Sequence, residues 1–166
     1  VADLMEWLTR SGIGYDIHRL VPGRRLVLGG VQLEHALGLD GHSDADVVSH
    51  AIGDALLGAV GLGDLGQHFP PGDPATRDIS SLELLRRIAA LVRGAGAEIV
   101  HVDATVIAEA PRLGPEVGAM SAALATALGL DPARVSVKAK TNEGLDAIGR
   151  GEAIAAHAVA TVRQPA

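Results

Sequence analysis

Asp16 and His18 stand two residues apart in a segment where Ile13, Tyr15 and Ile17 alternate with Gly14, Asp16 and His18. That period of two is the period of a strand, and it turns a carboxylate and an imidazole to one face. A third ionisable group, His50, falls on the first long helical segment. At about 100° per residue, Val47, Val48, Ala51, Ile52, Ala55, Leu56 and Ala59 form a wide apolar stripe there, with Asp46, His50, Gly53 and Asp54 opposite it. A histidine set against the core stripe is not there for packing. His42 and Ser43 precede the same helix, where free backbone N–H groups and the helix dipole favour an anion. Singly, each feature has an ordinary reading: a solvated pair, a surface histidine, a capping serine. Together, one carboxylate and two imidazoles make the three-ligand set of a catalytic zinc site with a fourth position open. The same set serves non-haem iron, so the ligands alone leave the reaction undecided.

The elements that must position these groups can be read from the same sequence. Residues 2–10 are expected to form a short helix or leader, so 1–11 is set apart as an N-terminal extension and 12–164 as one domain. Arg25 to Leu33 reads as a second strand region broken by Gly29-Gly30. Ser43 to Asp46 resembles a capping box opening a helix to about Val60, and Ser80 with Glu83 a second box before an apolar helix ended by Gly94 and Gly96. A Gly/Pro-rich loop fills Gly61 to about Ile79. Glu98 to Ala108, Val135 to Ala139 and Ala153 to Val162 read as strands, and Pro115 to Leu128 as a helix. Strands and helices alternate without repeats, so the expected class is α+β: one α/β sandwich, a mixed sheet with helices on one face. The last strand, apolar on nearly every residue, is either central in that sheet or buried against a neighbouring subunit.

Bulk composition narrows the chemistry. No cysteine is present, so any metal must be held by histidine and carboxylate. With 14 Lys and Arg against 20 Asp and Glu the net charge is −6, which argues against nucleic acid and requires a locally cationic site for any phosphorylated ligand. No apolar run approaches the roughly 20 residues that span a bilayer, and Asp3 and Glu6 interrupt the apolar N-terminus, so neither membrane span nor signal peptide is expected and the default is cytoplasmic. The chain opens on valine and is read as trimmed or cut from a longer one.

Five separated strings then resemble one family, the 2-C-methyl-D-erythritol 2,4-cyclodiphosphate synthases. They are Gly14-Tyr15-Asp16-Ile17-His18-Arg19-Leu20; His42-Ser43-Asp44-Ala45-Asp46-Val47 with His50-Ala51; Leu62-Gly63-Asp64-Leu65-Gly66 with Phe69-Pro70; Lys138 to Leu145; and Gly149-Arg150-Gly151-Glu152. They follow the family order over about Gly12 to Val162. The resemblance implies a lyase that converts 4-diphosphocytidyl-2-C-methyl-D-erythritol 2-phosphate to the 2,4-cyclodiphosphate and CMP, in non-mevalonate isoprenoid biosynthesis. It implies a four-stranded mixed sheet and a chorismate-mutase-like homotrimer with active sites between subunits.

The resemblance also assigns roles residue by residue. Asp16, His18 and His50 would bind Zn2+ or a similar divalent ion, and Glu143 a Mg2+ or Mn2+ shared with the substrate diphosphate. His42 and Thr141 match transition-state-stabilising positions. Ser43, Asp64, Leu65, Gly66, Phe69 and Asp73 match the methylerythritol phosphate side, with the loop closing over it. Ala108, Ala110, Pro111, Arg112 and Leu113 match the cytidine segment, while Lys140, Asn142 and Arg150 are expected near phosphates. Arg112 stands where lysine is frequent, which keeps charge and changes donor geometry. The family's central cavity can hold an isoprenoid diphosphate, but Ala147 replaces a common aromatic there. Two other readings stand beside this one: a trimeric isoprenoid-diphosphate-binding regulator without turnover, and a non-haem Fe(II) oxygenase.

Overall fold

The computed structural model describes residues 6–166. Along the chain lie β1 (Trp7–Pro22), β2 (Leu26–Leu28), β3 (Val31–Leu33), β4 (Leu37–Leu39), α1 (Val47–Ala59), α2 (Leu65–His68), α3 (Ser81–Gly94), β5 (Glu98–Ile107), α4 (Val117–Leu128), β6 (Val135–Lys140), α5 (Asp146–Gly149) and β7 (Ala153–Pro165). The main sheet has the order β4-β1-β7-β5-β6, and β2 and β3 form a separate hairpin. Only β5 and β6 pair in parallel. The fold is thus mixed α+β, as the sequence implies. The sheet has five strands where four were expected, because Leu37–Leu39 adds a short edge against Leu20–Pro22. Three residues are too few to show a period.

The last strand is central, lying between β1 and β5. On its inner face Ile154, Ala156, Ala158, Ala160 and Val162 are buried. These sit opposite His18, Asp16, Gly14, Gly12 and Arg10 of β1. The floor under α1 is therefore built of small residues, and helix and strand touch backbone to backbone. A Cβ added at Gly14 would lie 1.8 Å from the Ala51 carbonyl oxygen, and one at Gly12 2.0 Å from that of Ala55.

Several local expectations are corrected. Trp7–Arg10 are strand, not helix, since they pair with Val162–Pro165; Glu6 is in neither, and residues 2–5 of that expected helix lie outside the described residues. The ladder overrides the local apolar pattern, and Arg163 stacks over the Trp7 ring. Helix α1 starts at Val47, capped by Asp46 rather than by Ser43. Asp46 is not on a solvent side either: it is fully buried and accepts from the N–H groups of Gly29, Gly30, Val48 and Ser49 and from the Ser49 hydroxyl. Burial pushes its carboxyl up and the charge of Asp44 adds to this, while those hydrogen bonds offset part of the rise. Gly53 is buried as well, so α1 is enclosed almost all round. At α3, Ser80 makes no side-chain cap; the Asp44 carboxylate accepts the Ser81 N–H instead, and Glu83 pairs with Arg86 and Arg87. Gly129 does end α4 in the left-handed conformation, φ 66°.

Gly14→Ala is expected to cost on the order of 3 kcal/mol, since the obstacle is backbone that cannot rotate away. The urea midpoint measures this; an unchanged midpoint would show that α1 is free to lift.

Candidate metal centre

Three donor atoms converge where β1 passes under the start of α1. Asp16 Oδ2 lies 3.1 Å from His18 Nε2 and 2.9 Å from His50 Nδ1. Carboxylate and both rings, the groups read from the sequence as ligands, lie close enough together to share one ion. The far nitrogen of each ring is also engaged. His18 Nδ1 meets the Asp40 carbonyl, which can only accept, so that nitrogen carries hydrogen and Nε2 of the neutral ring offers a lone pair. His50 Nε2 faces the hydroxyls of Ser81 at 2.9 Å and Ser43 at 3.2 Å. An oxygen and two ring nitrogens pointing at one another form a donor set that one cation could join. One carboxylate and two imidazoles fit a divalent transition metal.

The local electrostatics agree. Burial pushes the Asp16 carboxyl up, but the His18 and His50 rings, which in their charged forms hydrogen-bond to it and set positive charge beside it, outweigh this and hold the group well below the usual carboxylate range. Burial lowers His18, and the Asp16 hydrogen bond and charge with the Asp40 carbonyl more than reverse this, raising it. Both directions mark a site that favours positive charge beside Asp16.

The cluster opens into a cavity of about 340 Å³ that also takes in His42, Ser43, Leu65, Gly66 and Phe69 from the expected set. His42 does not sit on the helix N-terminus: it lies five residues before Val47, and the Val48 and Ser49 N–H groups are already taken by Asp46. The reading of that terminus as an anion site is therefore corrected. His42 is held by the irregular segment after α2, its Nε2 donating to the Asp73 carbonyl at 2.9 Å while Asp78 N–H donates to the His42 carbonyl. Arg24 clamps the approach to His42 from the other side, donating to the carbonyls of Leu39 and Ser43. Asp64 and Asp73 do not line the cavity; their carboxylates cap short turns at Gln67 and Ala75.

A second cavity gathers Ala108, Pro111, Arg112 and Leu113 with Lys140 and Thr141, and shares no lining residue with the first. Ala110 precedes Pro111 across a cis bond and is not among its lining residues. Glu143 is exposed at φ 53° beside the Thr141 hydroxyl, Asn142 donates to Asp146, and Arg150 pairs with Glu152. Both cavities lie at one end of the sheet, since Ile17, Ala155, Ile107 and Lys140 form one row across it. Three strand spacings, about 14 Å, separate β1 from β6 along that row.

Sequence reasoning missed four polar groups that build these walls. Asp54 lines the first cavity and accepts the Leu65 N–H at 2.7 Å; burial pushes its carboxyl up. Its spacing of four from His50 was the available signal. Glu109 accepts from the N–H groups of Asn142 and Gly144, pinning the loop after β6 to the second cavity. Asp44 and Ser81 stand behind His50, and their separation of 37 residues leaves no local trace.

Known proteins resemble this chain over most of its length. The model of the YgbB family matches residues 9–163. The 2-C-methyl-D-erythritol 2,4-cyclodiphosphate synthase of Gloeobacter violaceus is 58% identical over 155 residues, 93% of this chain and 95% of the relative. That of Desulfosudis oleivorans is 60% identical over 153 residues, 92% of this chain and 91% of the relative. The solved IspF–CDP complex of Plasmodium falciparum superposes with a TM-score of 0.82 at 34% identity, over 95% of this chain and 96% of that one. The chain belongs to the YgbB family, that of the 2-C-methyl-D-erythritol 2,4-cyclodiphosphate synthases.

Proposed function

We propose that this chain converts 4-diphosphocytidyl-2-C-methyl-D-erythritol 2-phosphate to 2-C-methyl-D-erythritol 2,4-cyclodiphosphate and CMP, with residues 12–164 as the catalytic domain. The observation that carries the proposal is the convergence of Asp16, His18 and His50 on one spot at a cavity. A 2-phosphate oxygen attacks the β-phosphorus of the same molecule. The new P–O bond forms as the bridge to the α-phosphorus breaks, and its electron pair leaves with CMP. No protein nucleophile is needed, so the work is positioning and charge neutralisation.

Asp16, His18 and His50 would hold a zinc ion, and Glu143, a single exposed carboxylate, suits the second cation, Mg2+ or Mn2+, which binds through few protein ligands and shared phosphates. When bound, these ions supply Lewis-acid polarisation of phosphate oxygens. The remaining tasks fall to the chain. Lys140 and Arg112 set positive charge against the diphosphate, which answers the overall charge of −6. The Thr141 hydroxyl and His42 donate hydrogen bonds as charge builds on phosphate oxygens; His42, already aimed by the Asp73 carbonyl, offers its other ring nitrogen when charged. Leu65, Gly66 and Phe69 wall the methylerythritol side with Ser43, and Asp64 and Asp73 shape that wall by capping its turns. Ala108, Ala110, Pro111 and Leu113 form the cytidine side, and Asn142 and Arg150 hold the adjoining turns.

A homotrimer completes the reading. Ile13, Tyr15, Ile17 and Val159 are large, exposed and on the sheet face away from the helices, which favours burial against further copies. The two separate cavities of one copy support a site made by the metal cluster of one subunit and the nucleotide pocket of the next. Such a trimer would enclose a central space able to take an isoprenoid diphosphate, with Arg150 near it, although Ala147 there removes a stacking partner. Among the described residues no helix is long and apolar enough to cross a membrane; we place the enzyme in the cytoplasm. An iron oxygenase or a regulator without turnover finds no support in the relatives or in this mixed fold.

His50→Ala is expected to abolish zinc binding and CMP release while the trimer still assembles; full zinc content in the purified variant would remove His50 from the ligands. Glu143→Gln should lower turnover at limiting Mg2+ by tenfold or more, and identical Mg2+ titration curves would count against its role. Co-expressing His50→Ala with Thr141→Ala should restore part of the activity that each lacks alone, through sites built from two intact halves. No recovery in verified mixed trimers would place each site within one copy.

A further inference from the structure

Ser81 is fully buried, although it opens a helix that begins straight after an irregular surface segment. Its hydroxyl contacts Asp44 Oδ1 on one side and His50 Nε2, at 2.9 Å, on the other. Its backbone N–H donates to Asp44 Oδ2 at 2.9 Å. A carboxylate only accepts, so the single hydroxyl proton of Ser81 is committed to Asp44. The oxygen can then only accept, and the donor it meets is the N–H of His50 Nε2. Ser43, 3.2 Å from the same nitrogen, accepts the Ala45 N–H with one lone pair and keeps a second that can accept from His50 as well. With hydrogen fixed on Nε2, the lone pair of His50 is left on Nδ1, the atom 2.9 Å from Asp16.

From this we infer that Ser81 and Asp44 are positioning residues for the metal centre: their hydrogen-bond relay sets the tautomer and ring orientation of His50. The inference rests on the reading of Asp16, His18 and His50 as metal ligands. Partners behind a ligating histidine fix its orientation and raise its basicity. The alternative is that Asp44 and Ser81 do no more than cap α3. Chemistry separates the two, because the cap uses the Ser81 backbone N–H while the relay uses its hydroxyl. Asp44 is itself pinned from both directions, its N–H donating to the Ile79 carbonyl and its Oδ1 accepting from the Asp46 N–H, so the relay has a fixed base.

The test is zinc affinity of metal-stripped protein, measured by competition with a chromophoric chelator, beside the urea midpoint. Ser81→Ala keeps the cap and deletes the relay; its zinc dissociation constant should rise about 10- to 100-fold with little change in midpoint. Asp44→Asn keeps an acceptor for the Ser81 N–H but turns an amide N–H toward the hydroxyl oxygen, which reverses the relay, and should weaken zinc at least tenfold. This second variant decides the matter should Ser81→Ala fail to fold. His50→Ala is the reference: if it still binds zinc, the metal-site reading itself is wrong. If it loses zinc while the two relay variants bind as tightly as the unaltered protein, the relay alone is overturned.

Discussion

The contact between α1 and β1 governs everything near the site. A helix usually rides on side chains of a sheet, which hold its axis about 10 Å away. Here Gly12 and Gly14 remove those side chains from β1, and Ala156, Ala158 and Ala160 keep them short on β7. The Ala51 carbonyl therefore rests on the strand backbone, and its neighbour His50 is lowered to the level of Asp16. Longer residues at those two positions would raise the helix and open the distance between imidazole and carboxylate. The glycines serve close approach, not turning, and this is what brings an imidazole and a carboxylate 34 residues apart to within 2.9 Å.

Around that contact the protein separates its charges with care. The buried carboxylate of Asp46 takes up the free N–H groups at the head of α1 and at the Gly29-Gly30 turn, binding the β2–β3 hairpin to the helix. That negative charge is consumed by structure. Asp16 is left as the carboxylate whose surroundings call for a cation, with two imidazoles beside it. An acidic chain can thus hold a spot that draws positive charge without a basic surface.

Much of this was legible from the residues alone. Alternation over Ile13 to His18 placed Asp16 and His18 on one face, the β-branched residues of Glu98 to Ala108 marked β5, and the nearly unbroken apolar run from Ala153 to Val162 marked β7. What stayed hidden was set by long-range pairing. Trp7–Arg10 carries an apolar pattern that suits a helix, and only its ladder with Val162–Pro165 makes it strand. Ser43 has the identity and spacing of a cap, yet Asp46 takes the place because it also reaches two turn glycines. The apolar stripe on α1 was real but understated, since packing from α3 and the hairpin also encloses part of the side opposite it. No site role of their own could be read for Asp44, Ser81 and Glu109, because the partners that define one are 31 to 37 positions away.

The small-residue floor has a cost that falls elsewhere. Each glycine or alanine set beneath α1 forgoes the roughly 1.5–3 kcal/mol that a buried valine or leucine would add. The inner surface of the central strands is tuned for distance and contributes little adhesion. Ile154 and Val162 face inward at the two ends of the small-residue stretch of β7, while Ile13, Tyr15, Ile17 and Val159 are turned the other way, into the open. The spacing of the Asp16, His18 and His50 donor atoms and the open apolar face thus belong to opposite sides of one ribbon, so substitutions on the open face of β1 need not disturb that spacing.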